Sequence, residues 1–355
     1  MKKIILSIGL MAIVFLLAAS EIFAGGGRRN GSGGASELLI PVGARGIALG
    51  GSTLANSYGL EALFWNPANI ARLGGSNYST NVLISHMEHI ADIGVEYGAI
   101  STDIESFGSL AFSIKSLSIG DIPVTTVSNP DGTGAVFSPT FLTMGITYAR
   151  MLSDRIAVGL TANLVSEEID RVSATGVAFN VGVSYSDFAD INGLSIAFVM
   201  KNVGPEMKFD GSGLLIAAET PELSRSGELY KIDAAPFELP SILELGLSYQ
   251  FNIDDQNMLQ FGGVFSNNNF YGDEWKGGLE YGYNNLFFVR AGYFAATNMA
   301  TEFSTSDDYN AYGLNAGFGL NYDIGGIELR LDYAYRAVQY DGLGDNHAFS
   351  LGFGL

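Results

Sequence analysis

His86, His89 and His347 are the only imidazoles in the chain, and Glu88 and Asp345 lie close to them in sequence. Three imidazoles with carboxylates form a set able to bind a divalent metal if the chain brings them to one rim. The competing reading is a solvated rim, because strand neighbours point apart. No cysteine is present, which excludes disulfides, thiolate catalysis, thiolate zinc sites and a lipid anchor on an N-terminal cysteine. The serines form no G-x-S-x-G or other catalytic arrangement, so the chain reads as a non-enzyme with no catalytic residues and no cofactor. Gly43, Gly46, Gly50 and Gly51 cluster, but their spacing is not the dinucleotide fingerprint and no apolar strand precedes them.

The elements that must position these residues begin with an address. Lys2 and Lys3 precede an apolar stretch, Ile4 to Ala19, and Ile22-Phe23-Ala24 offers a cleavage site before Gly25. Residues 1–24 therefore read as a secretory signal that is removed. The net charge of −19 is too acidic for a nucleic-acid binder, and loss of Lys2, Lys3 and Glu21 makes it slightly more negative. Only 15% of residues are charged, against about a quarter in soluble domains, and 46 are glycine. No second long apolar run follows, so a closed β-barrel is the remaining way to live in a membrane.

Period-two alternation supports that reading. Ile327, Leu329, Leu331, Tyr333 and Tyr335 alternate with Glu328, Arg330 and Asp332. Leu243, Leu245, Leu247, Tyr249 and Phe251 alternate with Glu244, Gly246, Ser248 and Gln250, and Tyr312, Leu314, Ala316, Phe318, Leu320 and Tyr322 alternate with Gly313, Asn315, Gly317, Gly319 and Asn321. Fourteen such segments are expected: 78–87, 91–101, 108–118, 140–151, 155–168, 175–187, 193–203, 239–252, 257–268, 272–284, 286–297, 309–322, 325–337 and 346–355. Alternate connections are short, whereas Ile119–Pro139, Gly204–Glu238, Asn298–Asp308 and Val338–Asp345 are long. Loop lengths sorted by parity are the signature of an all-β, fourteen-stranded antiparallel barrel in the bacterial outer membrane, with short periplasmic turns and long outer loops. Residues 78–355 form the barrel in this reading.

The inward face carries Lys115, Lys201, Glu244, Lys276, Glu280, Arg290, Glu328, Arg330 and Asp332, together with many glycines. These charges line a polar conduit or brace the wall through salt bridges. Residues 25–77 contain no long strand and read as a periplasmic plug. In that plug Gly43, Ala44, Arg45, Gly50 and Gly51 approach the wall, the turn Leu60–Trp65 wedges in the mouth, and Asn66-Pro67-Ala68 ends that turn. The long connection Gly204–Glu238 carries the apolar cluster Leu214, Leu215 and Ile216, a candidate docking loop or lid.

"GARGIALGG", "EALFWNPANIARL" and the block Gly120–Ile169 resemble the PorV/PorQ proteins, relatives of the FadL transporters. Family members usually carry acidic residues where this chain has Asn56-Ser57-Tyr58-Gly59. The resemblance implies a fourteen-stranded outer-membrane barrel with a small N-terminal plug. It further implies a role in type IX secretion, with a translocon or exported cargo as partner beside outer-membrane lipid. The alternative it leaves open is FadL-like passive uptake of hydrophobic small molecules, against which the charged inward face argues.

Overall fold

The computed structural model describes residues 33–75, 78–104, 107–218, 228–270, 272–296, 311–340 and 342–355; the expected signal, 1–24, lies outside them. The wall comprises β1 (Thr80–Glu88), β2 (Gly94–Ile104), β3 (Gly108–Ser118), β6 (Thr140–Met151), β7 (Ile156–Ile169), β8 (Val172–Tyr185) and β9 (Leu194–Val203). It continues through β12 (Ile242–Asn252), β13 (Asn257–Asn268), β14 (Glu274–Tyr283), β15 (Phe287–Ala296), β16 (Tyr312–Ile324), β17 (Ile327–Val338) and β18 (Asn346–Gly354). These strands form one closed antiparallel barrel, sealed where β1 pairs with β18. Two small hairpins, β4 (Ile122–Pro123) with β5 (Val136–Phe137) and β10 (Leu215–Ala218) with β11 (Glu228–Lys231), stand on long loops at one end. That end is the outer one, because long loops face outward in such barrels. No helix among the described residues is long and apolar enough to cross a membrane.

The alternation follows from the pleat, which sends successive side chains to opposite faces. Leu245, Phe318 and Leu331 are exposed on the outer wall, while Glu244, Glu280 and Arg290 are buried inside. Tyr312 departs from the expected face. The register with β17 slips between Tyr312 and Asn315, so Tyr312 pairs Val338 and Asn315 pairs Arg336. The extra residue of this bulge turns the Tyr312 ring inward over the Arg336 guanidinium, 3.3 Å from the ring centre.

Residues 33–75 run through the lumen. Gly34 N donates to Glu238 O at 3.3 Å at the long-loop end, and Arg72 Nη2 donates to Arg155 O at 3.2 Å at the short-turn end. Two short helices, Ala44–Ala48 and Ala62–Trp65, and a 3-10 segment, Pro67–Gly75, lie between those anchors. Wall glycines make room for them. A Cβ at Gly182 would collide with Asn66 Oδ1, at Gly159 with the Pro67 carbonyl, and at Gly292 with the Leu49 carbonyl. Val42, Ile47, Leu60, Leu63 and Ile70 then join Leu83, Met87, Val95 and Tyr97 of the wall in a continuous apolar core.

Candidate functional site

The glycine-rich stretch forms the hub of the lumen. Gly43 precedes the Ala44–Ala48 helix at φ 85°, and a side chain there would meet Glu61 Cβ at 2.6 Å. Ala44 N donates to Ser350 Oγ at 2.9 Å, tying the helix start to β18. Gly50 and Gly51, at φ 64° and 80°, end the helix in left-handed turns. They bring its end against the Tyr293 backbone and the Trp65 ring. Trp65 is buried, edge-on to Phe64. Asn66 adopts an extended backbone before Pro67. Its side chain donates to Leu54 O at 3.0 Å and accepts from Ala68 N at 3.1 Å, closing the turn.

Arg45 joins this hub to the wall. Its Nε and Nη2 donate to Glu280 at 2.9 and 3.0 Å, and its Nη1 reaches Glu61 at 3.3 Å. Glu280 also meets Arg290 at 2.5 Å, and Arg290 meets Asp332 at 2.5 Å. Arg330 pairs with Glu328. Tyr58 lies with its ring 4.2 Å from the Arg45 guanidinium carbon and 5.7 Å from that of Arg330. An aromatic face thus meets two cations.

A second cluster sits nearer the outer mouth. Glu244 accepts from Lys201 at 2.6 Å and Lys276 at 3.0 Å, and Lys276 also meets Glu274 at 3.1 Å. Lys115 donates to the carbonyls of Glu37 and Ile40 at 2.7 and 3.2 Å. All nine charges expected on the inward face therefore find partners there. Glu37 was not singled out from the sequence. Among the described residues no donor reaches either of its carboxylate oxygens, and its neighbour is another carboxylate, Glu167. Burial, reinforced by the Glu167 charge, pushes the Glu37 carboxyl up to about 8.

Above the hub, toward the long loops, lies a cavity of about 750 Å³. Ile40, Phe64 and Trp65 contribute to its apolar lining, and Lys201, Lys276 and Arg336 to its charged side. The sequence contained no local signal for Arg336 or Tyr312 as a pair, because the bulge that joins them depends on strand pairing.

The three histidines do not converge. His86 and His347 stand on the outer face of adjacent strands, His86 against Glu96 at 2.6 Å and His347 against Tyr333 Oη at 2.9 Å. His89, an odd number of residues from His86, turns inward, with Nδ1 2.9 Å from Asn346 Nδ2. Among the described residues no group of three potential ligands could hold a metal.

The long loop after β9 has a seated base and an exposed hairpin. Met207 pairs with Phe237 and is buried against Ala35, Leu38, Val165 and Ala178. Leu214 lies in the turn that leads into β10. Leu215, Ile216 and Leu229 on the hairpin are 42%, 46% and 66% exposed.

No curated protein matches the chain. Among solved structures, the Pseudomonas putida toluene transporter TodX is similar at 13% identity and TM-score 0.51, covering 88% of this chain and 96% of that one. A Pseudomonas aeruginosa FadL homologue is similar at 13% identity and TM-score 0.50, covering 88% and 98%. At such identities the likeness carries the fold, an outer-membrane barrel of the FadL type. Residues 27–231, more than half the chain, match the family described as "Type IX secretion system protein PorV". A closed fourteen-stranded wall, a lumen occupied by the chain's own N-terminal segment and that match together place this outer-membrane protein in the PorV family.

Proposed function

We propose that this barrel is a non-enzymatic component of protein export, holding a translocon subunit or an exported cargo protein at its outer loops. The observation that carries this reading is the β10–β11 hairpin, whose apolar side chains are exposed on a base fixed to the mouth. Exposed apolar surface on an outward loop is costly in water and favours burial by a partner. The hairpin is also removable: Ile232 N donates to Leu214 O at 2.8 Å, so a short linker can join those residues. Excision of 215–231 with a Gly-Gly closure leaves every wall strand intact. Co-purification from native outer membranes is expected to lose the partner with that variant. Recovery of every partner at wild-type level removes docking from the hairpin.

A second reading, passive passage of hydrophobic small molecules, is favoured by the cavity at the outer mouth and its apolar lining. Uptake of a small apolar tracer by liposomes containing the purified barrel tests it. No uptake above empty liposomes rejects it.

A further inference from the structure

Arg336 differs from three other inward-facing arginines. Arg45, Arg290 and Arg330 each hold a carboxylate, whereas among the described residues none lies within ion-pair distance of Arg336. Its Nη1 is buried without a hydrogen-bond partner among the described residues. One face of the guanidinium is covered by Tyr312, so its open edge is left to donate. A cation so placed is costly unless something anionic meets it. It lines the 750 Å³ outer cavity, which falls in the size range of small-molecule sites.

We propose that Arg336 is the anion-recognition residue of a ligand site in this cavity, and that the site takes a small molecule bearing one carboxylate on an apolar body. The charge count argues for a single negative charge. Lys201, Lys276 and Arg336 share the cavity with Glu244 and Glu274, and the Glu274 charge acts on Arg336 as well as on Lys276, so one positive charge is left in excess, which disfavours a dianion. His89 shares the cavity and adds no charge at neutral pH. Burial, with help from Arg336, pulls it down to about 4. Its Nδ1 lies 2.9 Å from Asn346 Nδ2. Phe294, edge-on to Tyr312, flanks the charged end, and Phe64, Trp65 and Ile40 offer the apolar body its surface. A planar guanidinium edge fits a carboxylate through two parallel hydrogen bonds.

The site is independent of the hairpin reading. The test uses the full-length barrel in a neutral maltoside detergent, with 2-naphthoate and its uncharged isostere 2-naphthamide as probes in equilibrium dialysis. Naphthoate is expected to bind at least tenfold more tightly than naphthamide. Arg336→Gln should weaken naphthoate at least tenfold and leave naphthamide within twofold, with heat-modifiable gel mobility reporting an intact barrel. If Arg336→Gln fails to assemble, Arg336→Lys, which keeps the charge but not the fork, should weaken naphthoate several-fold. Equal affinity for the two probes overturns the proposal, as does naphthoate binding that neither variant changes. Binding of naphthoate only after Glu302, Asp307 and Asp308 are neutralised also overturns it, since an internal carboxylate would then hold Arg336. Excision of 215–231 should leave naphthoate affinity unchanged, which separates this site from partner capture.

Discussion

Glu37 shows how one side chain can make the seating of the plug depend on pH. Its carboxyl rests beside Glu167 while its own carbonyl accepts from Lys115, and Ala35 N donates to Glu167 at 3.1 Å. The seated value of about 8 lies above the ordinary 4.5, so the seated segment holds a proton that the released segment gives up. This contribution is complete below about pH 4.5 and is lost as pH rises through about 8. In a Trp275→Phe background, Trp65 should be better shielded from acrylamide at pH 5 than at pH 9, and Glu37→Gln should flatten that difference. A wild-type barrel whose Trp65 quenching is the same at both values contradicts the assignment. Two neighbours on β17 test the facing of the wall. Leu331 is exposed outward, while Arg330 points inward to Glu328. Leu331→Arg should cost about 2–4 kcal/mol at mid-membrane depth and Arg330→Leu less, as read by urea unfolding in lipid vesicles. Equal penalties would reverse the facing.

The N-terminal segment is held less by secondary structure than by backbone contact with the wall. Its helices are a single turn or little more, too short to persist alone. Their stability comes from the surfaces that the wall glycines open and from the Arg45–Glu280 fork. Gly182→Val places methyl groups where Asn66 Oδ1 lies, and Asn66 in turn holds Leu54 and closes the turn at Ala68. That substitution should leave the strands formed but unseat the segment, raising acrylamide quenching of Trp65 in the Trp275→Phe background. Unchanged quenching would mean that the wall tolerates the added volume.

At the scale of the molecule, everything depends on the seam between the first and last strands. There Ser85 and Ser350 pair across β1 and β18, with their hydroxyls 2.9 Å apart on the inward side, and Ala44 binds the same Ser350. The chain has no cysteine, so a Ser85→Cys/Ser350→Cys pair reports on the seam without background. Directly paired strand residues lie within the Cα range a disulfide needs. Oxidation should yield a cross-linked species of faster mobility on non-reducing gels after boiling. Failure to cross-link under mild oxidant would place the barrel seam elsewhere.

The sequence by itself determined the wall. Alternation at Leu243–Phe251 and Ile327–Tyr335 is a local property of a pleated strand, and loop parity follows from chain order, so both survive without any tertiary knowledge. The fourteen expected segments correspond to the fourteen wall strands, with their ends displaced by a few residues. Motifs such as Gly43–Gly51 and Trp65-Asn66-Pro67-Ala68 announced the family, since they are contiguous. Only the tertiary structure decided what meets across the lumen. Arg45 and Glu280 are 235 residues apart, and Ala44 and Ser350 are 306 apart, distances at which no sequence period operates. The passage of 33–75 through the lumen and the bulge that turns Tyr312 onto Arg336 share one cause. Each depends on the register of one strand against another, and register is settled by closing the barrel around its contents rather than by any strand alone.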